Sequence, residues 1–164
     1  MNLPKKIYTI DQLIFYLDNT ENIIFENKVE IIKKYSGNDW KKYIVKDFND
    51  PYYSNQILIP CKTCDLYLIT WNPKKESPIH NHSKNGCIMK ILNSKKEKNI
   101  FLEEERFKIK NKKIIKIQKN FIFPKQIFFI KDSIGLHKIK NNSNNYIYSF
   151  HIYNPKGFKT KYFS

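Results

Sequence analysis

The segment Ser77-Pro-Ile-His80-Asn-His82-Ser-Lys-Asn-Gly-Cys87 carries two histidines one residue apart, followed closely by a cysteine. On a β-strand, residues at i and i+2 point to the same face, so this spacing predicts two imidazoles side by side. That is the arrangement of two cis ligands on one metal ion. Downstream, Asp132-Ser-Ile-Gly-Leu-His137 offers a third imidazole after a turn-permitting glycine. Further on, Ser149-Phe-His151-Ile-Tyr153 places three polar groups at alternate positions of an apolar strand. The four histidines of the chain all fall within these three segments. Imidazole suits zinc, copper, iron or nickel, and three imidazoles on one face leave coordination positions open for substrate. Such a set adds no negative charge, so the ion keeps its full charge and favours an anionic donor such as a thiolate.

Outward from this centre the pattern divides into two parts. Thr9 reads as an N-cap, followed by Ile10, Leu13, Ile14 and Leu17 at helical spacing. A second helix is expected over residues 27–34, with Val29, Ile31 and Ile32 inward, and a short third one from Asn38 toward Val45. Asn49-Asp50-Pro51 is a turn signal that closes this helical part. From Tyr52 onward short apolar runs alternate with Lys/Asn/Pro-rich turns. Strands are expected at 56–59, 65–71, 79–82, 87–92, 100–104, 113–118, 121–123, 127–130, 137–140 and 146–153. Residues 93–99 and 108–113 read as exposed hairpin loops. Helices followed by many short strands predict an α+β protein with a jelly-roll β-barrel. One domain is expected over 1–164, helical over 1–50 and barrel over 51–164.

Composition narrows the function classes. The formal charge of +15 raises nucleic-acid binding. However, the basic residues are almost all lysine, scattered among Asn and Ile, and Arg106 is the single arginine. Arginine is the usual reader of phosphate and guanine, so a solvated basic surface is the expectation. No apolar run is long enough for a membrane helix, and the N-terminus lacks a secretory leader. The chain is therefore expected to be a soluble, cytoplasmic monomer bound neither to membrane nor to nucleic acid. Cys61-Lys-Thr-Cys64 has CxxC spacing but precedes a strand instead of opening a helix, and no second CxxC completes a zinc site. It reads as a hairpin turn holding two thiols.

The three blocks 71–87, 132–141 and 149–155, in this order and spacing, resemble the type I cysteine dioxygenases of the cupin superfamily. The resemblance covers nearly the whole chain. Its most specific element is Cys87, at the place where other cupins carry a metal-binding glutamate, together with Tyr153. It implies Fe(II) held by His80, His82 and His137. It also implies addition of both atoms of O2 to the sulfur of cysteine, giving cysteine sulfinic acid. Tyr153 would direct its hydroxyl at the bound ligands, a thioether bond can join it to Cys87, and Ser149 and His151 would complete a hydrogen-bond relay. Members that use cysteine clamp its carboxylate with an arginine on the first strand. Here that segment reads Tyr52-Tyr53-Ser54-Asn55-Gln56-Ile57, with Asn55 the best-aligned replacement and Gln56 beside it. Neutral amides give up the charge-assisted bidentate contact. Relatives with glutamine here favour 3-mercaptopropionate, which becomes the alternative substrate. A non-catalytic metal-binding cupin is the alternative from another class. Because the sequence ends soon after Asn154-Pro155, the pocket is expected to be open to water.

Overall fold

The computed structural model describes residues 2–20, 23–46 and 51–164. Helix α1 (Ile10–Asn19) opens on Thr9, whose hydroxyl accepts from the Gln12 amide at 3.1 Å. It buries Ile10, Leu13 and Leu17. Helix α2 spans only Val29–Lys34, because a 3-10 turn, Phe25–Lys28, leads into it. A second 3-10 turn, Asp39–Tyr43, takes the place of the expected third helix and buries Trp40. Asn49 and Asp50 of the expected turn lie outside the described residues.

The strands are β1 (Ser54–Pro60), β2 (Asp65–Trp71), β3 (Lys75–Glu76), β4 (Ile79–His80), β5 (Gly86–Ile91) and β6 (Leu102–Lys110). They continue with β7 (Lys113–Ile122), β8 (Ile127–Ile130), β9 (Leu136–Asn141), β10 (Ile147–Asn154) and β11 (Tyr162–Phe163). One antiparallel sheet has the order β1-β2-β10-β5-β8 and the other β11-β4-β9-β6-β7, with β3 also on β9. Two facing antiparallel sheets with this connectivity form the double-stranded β-helix of a cupin barrel.

The first sheet is covered on both faces, which is why β2, β5 and β10 read as nearly continuous apolar runs. Leu66, Leu68, Ile88, Phe150 and Ile152 pack with the helices. The alternate residues Ile69, Trp71, Met89, Ile91 and Ile147 fill the barrel. Burying side chains of this size contributes roughly 1.5–3 kcal/mol each. Lys90 falls in the helix-facing phase and reaches α2, where its Nζ donates to the carbonyls of Ile32 at 3.1 Å and Tyr35 at 2.6 Å. A cation on the C-terminal carbonyls of a helix satisfies acceptors that have no intrahelical partner.

The second sheet departs further from the sequence reading. Residues 113–118 and 121–122 belong to one strand, β7, which ends before Phe123, and 108–110 continue β6 instead of forming a loop. The turn is just Asn111-Lys112, both with positive φ (51° and 62°), as a two-residue hairpin turn with the sheet's twist requires. Lysines alternating with isoleucines had looked like loop because one face of this pair meets solvent.

Candidate metal centre

His80 ends β4 and lies opposite His137 of β9 in the strand register. His82 lies past the end of β4, so the expected shared strand face is replaced by another device. Asp132, in the turn before β9, accepts the His82 backbone amide at 2.7 Å and faces its Nδ1 at 3.2 Å. That turn closes through the amides of Ile134 and Gly135 on the Lys131 carbonyl. Gly135 is required there: a Cβ would meet the Phe107 carbonyl oxygen at 3.0 Å and the Arg106 side chain at 2.7 Å. The three imidazoles converge, each offering one nitrogen, with these atoms within 4.8 Å of one another. Ring centroids are 4.7 Å apart for His80–His137 and 4.4 Å for His82–His137.

The surroundings orient each ring for a cation. His80 Nδ1 lies 2.9 Å from the Pro78 carbonyl, which takes the ring proton there and leaves Nε2 as donor to a metal. His82 Nδ1 faces Asp132, and its Nε2 is buried without a hydrogen-bond partner. His137 Nδ1 stands 3.4 Å from Oε1 of Glu104 without closing a hydrogen bond. Glu104 is fully buried and accepts from Arg106 at 3.1 Å and Asn120 at 2.6 Å. Burial, then the neighbouring imidazoles, lowers His82 to about 3 and His137 well below its ordinary value. All three rings are thus neutral at pH 7, the form that ligates metal. Converging neutral nitrogens, one of them orphaned in the interior, fit a divalent transition ion.

The opposite wall comes from β10, β5, β1 and the C-terminal segment. Ser149, His151 and Tyr153 occupy the barrel-facing phase of β10, as expected. Tyr153 is the direct cross-strand partner of Cys87, whose Sγ donates to the Ile88 carbonyl at 3.8 Å. Burial pushes the Cys87 thiol up to about 12 and the Tyr153 phenol well above its ordinary value, so both are protonated at neutral pH. His151 Nδ1 faces the Tyr153 hydroxyl at 3.5 Å and Cys87 Sγ at 3.8 Å. The serine end of the relay is engaged elsewhere: Ser149 Oγ accepts from the Trp71 indole at 2.9 Å, while His151 Nε2 has no partner.

One expectation is corrected. Gln56, paired with Ile69 across the hairpin, lines the cavity with Tyr53. Asn55, paired with Thr70, has the opposite parity and does not line it. β11 pairs with β4, Tyr162 opposite His80, and Thr160 and Tyr162 line the pocket beside His80. The cavity is about 30 Å³. Among the described residues no lysine or arginine lines it; Arg106 lies against Glu104 and the Phe128 ring. A groove of about 600 Å³ between α2 and β8 contains none of the histidines.

Sequence reasoning missed Glu104, Thr160 and Tyr162. Glu104 sits within Glu103-Glu104-Glu105, where only the inward phase of a strand through Leu102 marks it out. Lys159-Thr-Lys-Tyr-Phe-Ser164 is too short and polar to announce a strand.

The family model for cysteine dioxygenase type I matches residues 8–164. Cysteine dioxygenase type 1 of Bos taurus is 23% identical over 154 residues, covering 93% of this chain and 76% of the relative. That of Danio rerio is 24% identical over 160 residues, with the same shares. Among solved structures, an oxalate oxidase in complex with the substrate analogue glycolate superposes with a TM-score of 0.55 at 11% identity, over 73% of this chain and 60% of that one. A double-stranded β-helix protein from Klebsiella pneumoniae gives a TM-score of 0.51 at 10% identity, over 76% and 93%. These two share the fold.

Proposed function

The chain belongs to the cysteine dioxygenase type I family, and from that premise we propose that it is a non-haem Fe(II) thiol dioxygenase converting L-cysteine and O2 to cysteine sulfinic acid. The observation that carries this reading is the convergence of His80, His82 and His137, with Tyr153 lining the pocket beside His80 and paired across the strands with Cys87. Fe(II), when bound by the three imidazoles, supplies the redox chemistry that lets O2 react with a thiol, which redox-silent zinc could not supply. The protein's own part is positional. Neutral ligands leave the cation's charge to draw in the substrate as thiolate. The protonated Tyr153 hydroxyl is a donor toward ligands on the open side, and His151 is its buried neighbour. Phe128 is stacked near His137, and Ile69 and Trp71 line the cavity among mostly polar side chains.

The Tyr153–Cys87 pairing supports formation of a thioether between them in part of the protein, with loss of two hydrogens. Peptide mass analysis, with Tyr153→Phe as control, checks this. A linkage that never forms after turnover would contradict it.

A second reading has its own observation. Gln56 and Tyr53 line the cavity where the cysteine-using relatives have an arginine, and Gln56 Nε2 already lies 3.3 Å from Ser54 Oγ. An amide and a phenol bind a carboxylate without charge assistance, and 3-mercaptopropionate, the thiol favoured by relatives with glutamine at this position, becomes the competing substrate. We take the chain as one domain, acting as a cytoplasmic monomer. Metal analysis combined with oxygen uptake on both thiols tests the proposal. Turnover of 3-mercaptopropionate alone would move the substrate and keep the class. Iron bound without turnover of either would favour a non-catalytic cupin.

A further inference from the structure

We propose that Cys61 and Cys64 are a redox-active dithiol that closes to an intramolecular disulfide when the protein meets a small hydroperoxide. The pair lies outside the metal centre and does not depend on the function proposed above. Pro60 and Asp65 are cross-strand partners, and Cys61 and Cys64 are the next residues toward the tip of the β1–β2 hairpin. Four residues closing such a turn bring its first and last Cα within about 7 Å, inside the range a disulfide spans. Both cysteines are buried and free, and Cys61 Sγ donates to the Ile59 carbonyl at 3.8 Å. Between them only Lys62 and Thr63 are exposed.

The turn is held from two sides, so the thiols cannot drift apart. The Asp18 carboxylate at the end of α1 accepts from the amides of Lys62 at 2.9 Å and Thr63 at 3.0 Å. From the end of β10 and the segment after it, Asn154 Nδ2 donates to the Thr63 carbonyl at 2.7 Å and Lys156 Nζ to the Cys61 carbonyl at 2.6 Å. Cys87 cannot compete, being committed to Tyr153 inside the barrel. Among the described residues the His80–His82–His137 group is the one metal-ligating cluster, so the dithiol is not half of a zinc site.

The chemistry balances without a cofactor. Cys61 donates its thiol proton to the Ile59 carbonyl and is held up by Cys64 beside it and by burial, while Cys61 holds the Cys64 thiol below its ordinary value. Cys64 is therefore the nucleophile. Its sulfur attacks one peroxide oxygen, the O–O bond breaks, and an alcohol or water leaves, giving a sulfenic acid. Cys61 sulfur then attacks Cys64 sulfur, the S–O bond breaks, and the hydroxide departs as water with the Cys61 proton. Two thiols and one hydroperoxide thus become one disulfide, one alcohol and one water. A dithiol reductant reverses the bond by exchange.

Trypsin cuts after Lys62, between the two cysteines, which makes the test simple. The native protein is treated with hydrogen peroxide, alkylated and digested. The fragment ending at Lys62 and that beginning at Thr63 should be recovered joined, in wild type and in Cys87→Ser, and should separate on adding dithiothreitol. The Cys87→Ser variant and the reductant step exclude any thioether signal. In Cys61→Ser, dimedone should label Cys64. Separate fragments, each alkylated after peroxide exposure that oxidises the unfolded chain, would overturn the proposal. So would sulfinic acid on either cysteine without joining.

Discussion

The two walls of the cavity are built differently. On one, each histidine has an assigned neighbour: a carbonyl for His80, Asp132 for His82 and Glu104 for His137. Glu104 is in turn held by Arg106 and Asn120. On the other wall Tyr53, Gln56, Thr160 and Tyr162 present neutral groups, two of them from a C-terminal segment that ends in a two-residue strand. The first wall is over-determined and sets the chemistry. The second is lightly held and carries no charge, so selectivity among thiols is the property most open to change.

The sharpest way to break the contrast is to remove a ligand. His137→Ala should abolish iron retention and sulfinate formation together, read by metal analysis and product assay, while Gln56→Ala should leave the iron content unchanged. Acid is the next largest lever, and it acts on both walls. His82 and His151, both held near 3 by burial, stay neutral in the folded state while the unfolded chain protonates below about 6.5. The unfolded state then binds more protons, so stability is present above 6.5 and is lost as pH falls toward 3. Each ring costs about 1.4 kcal/mol per pH unit in that window. Urea denaturation of chelator-treated protein at neutral and acid pH measures this. Asp132→Asn removes the charge behind His82 while keeping an acceptor, and should weaken metal affinity about 10–100-fold. Activity should return with excess iron. The smallest effect lies on the neutral wall. Gln56→Arg should raise kcat/KM for cysteine relative to 3-mercaptopropionate by about tenfold, the worth of one charge-assisted bond.

How far the sequence exposes these walls follows from what each is made of. β2 and β8 have the expected bounds, and β10 differs by one residue at each end, because their apolar runs are bounded by turns and covered by packing. The convergence of His80 and His137 follows from sequence pattern because both sit on strands. His82 does not, since its placement rests on a carboxylate fifty residues away. Asn55 and Gln56 were separable only through hairpin register, as one residue of slip exchanges the faces. The pocket edge formed by Thr160 and Tyr162 carries no periodic signal, being a single bridge-length strand held by β4.

The most direct measurement is turnover of the iron-loaded protein with L-cysteine or 3-mercaptopropionate under isotopically labelled O2. The account expects a sulfinate in which both oxygen atoms are labelled, formed only while His80, His82 and His137 are intact. A product labelled at one oxygen, or no sulfinate from either thiol with iron fully bound, would contradict it.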